Sequence, residues 1–151
     1  MSDDIQQLIG RTGEPFEMVV ERGKILEFAR ATKSKNPAYL EDKQPITPAT
    51  YFAVAMHWLT PESAALHGVP MDFSNMLHGE QEYVFHGEPP RAGTVMQCQQ
   101  RVDNIFTKEG KRGGEMRFTV LVTDFRDETG ALRVEARTTI IQTGKTPEKE
   151  S

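Results

Sequence analysis

The spacing of apolar residues changes period along the chain, and each change marks an element. Met1 to Gln7 is polar and reads as a short helical or frayed lead-in, and Gly10 to Gly13 marks a turn. Residues 14–21, Glu-Pro-Phe-Glu-Met-Val-Val-Glu before the next turn of pattern, are expected to form a first strand. From there Ile25, Phe28 and Ala29 recur three and four apart between charged residues, which predicts an amphipathic helix over 22–32. Residues 33–47, rich in Lys, Asn, Pro and Asp and broken by Pro37 and Pro45, are expected as a long loop. Thr47 is then placed as the N-cap and Pro48 at the first turn of a helix through residues 49–59. That segment is apolar on nearly every side (Tyr51, Phe52, Ala53, Val54, Ala55, Met56, Trp58), so it belongs inside a core. A second short helical piece follows over 61–67.

After residue 75 the period becomes two, with turn signals between the runs. Four long antiparallel strands are expected over 76–87, 94–106, 113–127 and 131–142, separated by turns rich in Gly and Pro. The clearest alternation sets Met116, Phe118, Val120 and Val122 against Arg117, Thr119, Leu121 and Thr123, so one face packs on something apolar and the other is only partly exposed. One strand, a helix pair and four antiparallel strands define the class α+β, although several α+β layouts share this order. One domain is expected over 1–144, followed by a polar tail, 145–151, expected to be disordered.

Composition narrows the partners. At 151 residues, 37% hydrophobic and 26% charged, the chain has the make-up of one soluble domain. Its net charge of -4 opposes nucleic-acid binding, which normally calls for a basic surface. Cys98 is the single cysteine, so no internal disulfide can form and a reducing cytoplasm is expected. The opening residues are acidic where a signal peptide is basic, and no apolar run approaches the roughly 20 residues that span a bilayer. Neither export nor membrane insertion is expected.

Several runs together resemble the MaoC-like dehydratase family, in particular the N-terminal-type domain of mycolic-acid and sterol-degrading dehydratase subunits. They are Val20-Glu-Arg-Gly-Lys-Ile-Leu-Glu-Phe-Ala-Arg-Ala, Asn36-Pro-Ala-Tyr-Leu-Glu-Asp, Ile46-Thr-Pro-Ala-Thr-Tyr, Leu77-His-Gly-Glu-Gln-Glu-Tyr, Pro90-Arg-Ala-Gly, and Gly113-Gly with the strand pair around Asp127-Glu-Thr-Gly. The similarity spans about residues 10–142. It implies a hotdog fold, a curved antiparallel sheet wrapped around a central helix, with paired subunits. It also implies thioesters of coenzyme A or acyl carrier protein as ligands, with no other cofactor.

Active members of that family carry an Asp two residues before the Asn-Pro pair and a His two residues after it. Hydrating an enoyl thioester, or dehydrating a 3-hydroxyacyl thioester, needs a carboxylate and an imidazole that share a water and trade protons. A helix N-terminus polarises the thioester carbonyl. Here those positions hold Ser34 and Tyr39, and neither side chain titrates near neutrality. No catalytic residue is therefore expected in this chain, while Asn36, Pro37, Tyr39, Thr50 and His57 are the substrate-binding candidates. Glu41, Asp42 and His57 are the nearest groups that could substitute for the pair. The plainer readings are a solvated loop for the two acids and a core or interface histidine for His57.

His67, His78 and His86 have no partner at metal-ligand spacing, so no metal is expected. His78 is more simply a hydrogen-bonded structural residue. Lys108, Lys111 and Arg112 share one hairpin and could meet phosphates or an acidic carrier protein, though an ordinary solvated turn is the simpler reading. The expectation is a subunit of an (R)-specific enoyl-thioester hydratase or 3-hydroxyacyl-thioester dehydratase in fatty-acid or sterol metabolism. The chain alone would be inactive, shaping the acyl channel with its central helix and loop 34–46 beside a catalytic MaoC-like partner. The alternative is a homodimer that binds acyl-CoA without catalysis. A thioesterase ranks last, because residues 49–59 offer no Asp or Glu to activate water.

Overall fold

A computed structural model describes residues 5–110 and 114–144, so the expected tail and the hairpin residues Lys111 and Arg112 lie outside the described residues. The chain forms strand β1 (Phe16–Val19), helix α1 (Arg22–Ala31), short helix α2 (Pro37–Leu40) and a 3-10 segment (Tyr51–His57). Two 3-10 turns (Pro61–Ser63 and Phe73–Asn75) lead to β2 (Met76–Phe85), β3 (Val95–Glu109), β4 (Glu115–Arg126) and β5 (Leu132–Thr143). The strands make one antiparallel sheet in the order β1-β3-β4-β5-β2. The four long strands match the expected runs to within a few residues, because period-two alternation and Gly-Pro turns are local signals. The first strand is shorter than expected. Pro15 can donate no ladder bond, and Glu21 is already the N-cap of α1, with φ -88° and ψ 132°.

Helix α1 buries Ile25 and Ala29 and leaves its charged face outside. The segment after Pro48 departs from expectation. It is a seven-residue 3-10 segment whose Tyr51, Phe52, Val54 and Ala55 are buried while Met56 is 68% exposed. With three residues per turn, positions 51/54 and 52/55 stack into two rows facing the core, and 53/56 form a third row facing out. A sequence apolar all round therefore still has one exposed side. Thr47 does not cap it: Thr50 occupies the N-cap position without a side-chain bond, and the Thr47 hydroxyl, buried at 1% exposure, has no partner.

The inner face of the sheet carries two apolar clusters. The larger gathers Met18, Ile25, Tyr51, Phe52, Met96 and Phe125, among others, with Phe28 and Tyr39 packed against it. The smaller, toward the β3–β4 hairpin, holds Ala65, Val102, Ile105 and Leu121. On β4 it is Leu121 and Phe125 that point inward, while Met116, Phe118 and Val120 lie half-buried on the open face. Val122, on that outer row, is fully buried, flanked in register by Arg101 and Arg137. Register shifts at Gly79 in β2 and Asp103 in β3 bend the sheet. A Cβ at Gly79 would stand 2.6 Å from the tip of the Ile141 side chain, which would have to shift to admit it.

Candidate functional site

The loop that carries the candidate residues is built by the end of α1. The N–H of Lys33 donates to Arg30 O and that of Ser34 to Ala29 O, a Schellman closure that puts Lys33 at φ 57°, where glycine is usual. The Ser34 hydroxyl then accepts from the Asn36 N–H at 3.3 Å. Asn36 caps α2, its Oδ1 accepting from Ala38 N at 3.0 Å, with Pro37 in the first helical turn where its missing N–H costs nothing. Tyr39 turns inward and packs against the larger core cluster. The expected long loop thus contains a capped helical turn, a signal legible in Asn-Pro itself.

Beyond α2, Asp42 is tied into the fold. Its Oδ1 accepts from Gln44 N at 2.9 Å and its Oδ2 lies 3.6 Å from Arg91. Glu41 is exposed. Pro45 to Thr47 runs antiparallel to Pro90 to Ala92: Thr47 N donates to Pro90 O and Ala92 N to Pro45 O, both at 2.9 Å. Beneath this joint sits Tyr51, edge-on to Phe28 and Phe52 at 5.9 and 5.6 Å between ring centres. Burial pushes its hydroxyl up to about 12, and it lies near the Glu21 backbone without a hydrogen bond of normal geometry.

Thr50 and His57 bracket the 3-10 segment and both are exposed, so His57 is not a core histidine. On α1, Glu27 is held below the usual carboxylate range mainly by its 2.9 Å bond from Lys24, with His57 adding a smaller electrostatic effect. The structure therefore brings Ser34, Asn36, Pro37 and Tyr39 together on one turn and sets Thr50 and His57 on a neighbouring element. Within the described residues no imidazole hydrogen-bonds a carboxylate on this loop. The loop presents a capped turn, and it holds no imidazole–carboxylate pair of its own.

One imidazole–carboxylate pair does exist elsewhere: His86 Nε2 lies 2.8 Å from Glu135 Oε2, on the open face of the sheet. The His86 hydrogen bond, with Arg137 and Arg101 nearby, holds the Glu135 carboxyl below its usual range against the opposing effect of burial. These residues are 49 apart in sequence and meet only through the β2–β5 register, so nothing in their spacing announces them. His78 bonds Gln81 at 3.2 Å on β2. The Lys108 ammonium sits 5.2 Å above the stacked rings of Phe106 and Phe118. Cys98 is buried and pushed up to about 12 mainly by that burial, so it carries no reactive thiolate.

The model of the family described as "FAS1-like, dehydratase domain region" matches residues 7–144. The chain belongs to that family. Among its relatives, a UPF0336 protein of Saccharopolyspora erythraea is 30% identical over 117 residues, covering 70% of this chain and 72% of the relative. The dehydratase-region domain also resembles solved structures. A C-terminally truncated HadBC (3R-hydroxyacyl-ACP dehydratase) complex of Mycobacterium tuberculosis superposes with TM-score 0.67 at 21% identity, over 89% of this chain and 96% of that one. A MaoC-like dehydratase gives 0.75 at 16% identity, over 91% and 43%. The ChsH1–ChsH2 complex of Mycobacterium tuberculosis gives 0.67 at 14%, over 97% and 96%. These likenesses show the hotdog fold, with a 3-10 segment where a central helix was expected.

Proposed function

We propose that this chain is the non-catalytic subunit of an (R)-specific enoyl-thioester hydratase or 3-hydroxyacyl-thioester dehydratase. The observation that carries the reading is the turn at Asn36-Pro37. Its cap and closure are intact while Ser34 and Tyr39 stand where active relatives hold Asp and His. General acid–base groups contribute roughly 10²–10⁴-fold to such a reaction, and a loop without them keeps only its shape. The catalytic pair comes from a second hotdog subunit. Relatives in fold include the two complexes HadBC and ChsH1–ChsH2, which supports such a partner.

The edge of the sheet supports the same reading. β2 pairs with β5 along one side only, its residues 77–82 are exposed, and Leu77 is 58% exposed. A ten-residue edge with an exposed Leu is a pairing liability unless another strand covers it. Joined there, the partner's reacting groups would meet a thioester of coenzyme A or acyl carrier protein, and this chain would wall the acyl group with loop 34–46 and the 3-10 segment. The described residues hold no helix long and apolar enough to cross a membrane, and the cytoplasm is the proposed location. An antiparallel edge can also pair with its own copy, and that favours a second reading, an acyl-thioester-binding homodimer without catalysis.

Co-expression with a MaoC-like protein that has both Asp and His separates the two. The first reading predicts co-purification and hydration of crotonyl-CoA or a longer enoyl-CoA by the complex. A stable homodimer that excludes the partner and leaves enoyl-CoA unchanged would support the second.

A further inference from the structure

A cavity of about 440 Å³ opens at the hairpin end of the inner face, and neither the candidate loop nor the larger core cluster contributes to it. Its apolar walls come from Leu8, Leu66, Val69, Met71 and Ile105. Arg117, Thr119 and Gln142 form a polar margin. Ile105 is seven positions along β3 from Cys98, so the cavity is displaced from the larger cluster by roughly 20 Å at about 3.3 Å per residue.

Arg117 is the unusual member. The described strands carry five arginines, and four meet a carboxylate: Arg101 and Arg126 meet Asp124, Arg133 meets Asp127 and Arg137 meets Glu135. Arg117 donates to the neutral amide of Gln142 instead, and among the described residues no carboxylate lies within ion-pair distance. A guanidinium has five donors in a fork that matches a carboxylate, and half-burying it beside an apolar wall without a counter-ion is unfavourable. The volume lies in the range of small-ligand pockets.

We infer that this cavity binds an amphiphilic anion, a long apolar chain ending in a carboxylate, with the carboxylate on Arg117 and the chain along Leu8, Leu66, Val69 and Ile105. The site is independent of the proposed subunit role and requires no partner or thioester.

Displacement of a fluorescent fatty-acid probe from the full chain by dodecanoate, hexadecanoate and methyl hexadecanoate tests it. Affinity should rise by about fourfold per added methylene until the cavity is full. The ester should bind roughly tenfold or more weaker than the acid, the loss expected for a charge-assisted hydrogen bond. Arg117→Gln should abolish the preference for acid over ester while leaving ester affinity unchanged. Leu66→Trp should block both ligands. Val69→Trp serves the same purpose if Leu66→Trp alters the circular dichroism spectrum. Equal affinity for acid and ester in the unaltered chain, an acid preference that survives Arg117→Gln, or binding that survives a folded Trp variant would each overturn the assignment.

Discussion

Replacing Thr47 with valine should stabilise the protein. The Thr47 side chain is buried at 1% exposure, its backbone N–H is satisfied by Pro90 O, and its hydroxyl has no partner. Leaving a buried hydroxyl unsatisfied costs about 1–3 kcal/mol, and a methyl in its place adds apolar burial of up to about 0.8 kcal/mol. Strain from the altered contacts takes back part of this, so a net gain of about 1–2 kcal/mol is expected. For a domain of this size that raises Tm by roughly 2–8 °C. Urea unfolding followed by the fluorescence of Trp58, which packs against the larger cluster, measures it as a higher midpoint at unchanged slope. A loss of about 1 kcal/mol or more would refute the reasoning, because the hydroxyl must then hold a hydrogen bond in solution, for instance to a buried water. Thr47 lies at the joint of loops 45–47 and 90–92, and an unsatisfied group in such a place calls for an explanation.

Three further substitutions have defined outcomes. Gly13→Ala should cost about 3 kcal/mol or more, since its Cβ would stand 2.0 Å from the Ser63 carbonyl oxygen and backbone must move; thermal melting reads this, and a Tm within 2 °C of the parent by the usual scaling would contradict it. Leu77→Lys on β2 should leave the fold's stability within about 0.5 kcal/mol yet abolish pairing along that edge, read by light scattering of the chain with and without its partner. Asp127 is held down to about 2, chiefly by the Thr129 hydroxyl and then by Arg133. A carboxyl lowered in the folded state contributes stability above its ordinary 3.8, and that contribution is lost as pH falls through about 2. Asp127→Asn should therefore be less stable than the parent at pH 6, with the gap closing between about pH 4 and 2; a gap independent of pH would show that the carboxylate charge is not what the turn uses.

Local patterns in the sequence foretold most of the scaffold. The three- and four-residue spacing of Ile25, Phe28 and Ala29 produced α1 nearly to the residue, and alternation with Gly-Pro turns produced the four long strands. The 3-10 geometry of Tyr51–His57 was not legible, because an all-apolar run has no period from which to read three residues per turn. On β4 both rows carry apolar residues, so alternation alone could not say that Leu121 and Phe125, rather than Phe118 and Val120, face the core. At the candidate site the prolines read only as loop punctuation, so the helical turn capped by Asn36 was missed, and the inward turn of Tyr39 and the exposure of His57 depend on tertiary packing. The His86–Glu135 pair and the Arg117–Gln142 bond arise from strand register, and neither leaves a mark on the linear sequence.

On the proposed reading, this chain supplies shape and pairing surface but no proton-transfer groups. The most direct test of that reading is the enoyl absorbance of crotonyl-CoA and a longer enoyl-CoA, followed with the purified chain alone and then with a hotdog partner carrying both Asp and His. A non-catalytic subunit gives the uncatalysed rate alone and, in the mixture, hydration above that of the partner by itself. Hydration by the chain alone, abolished by Asp42→Asn or His57→Gln, would contradict that reading and place the catalytic groups within this subunit.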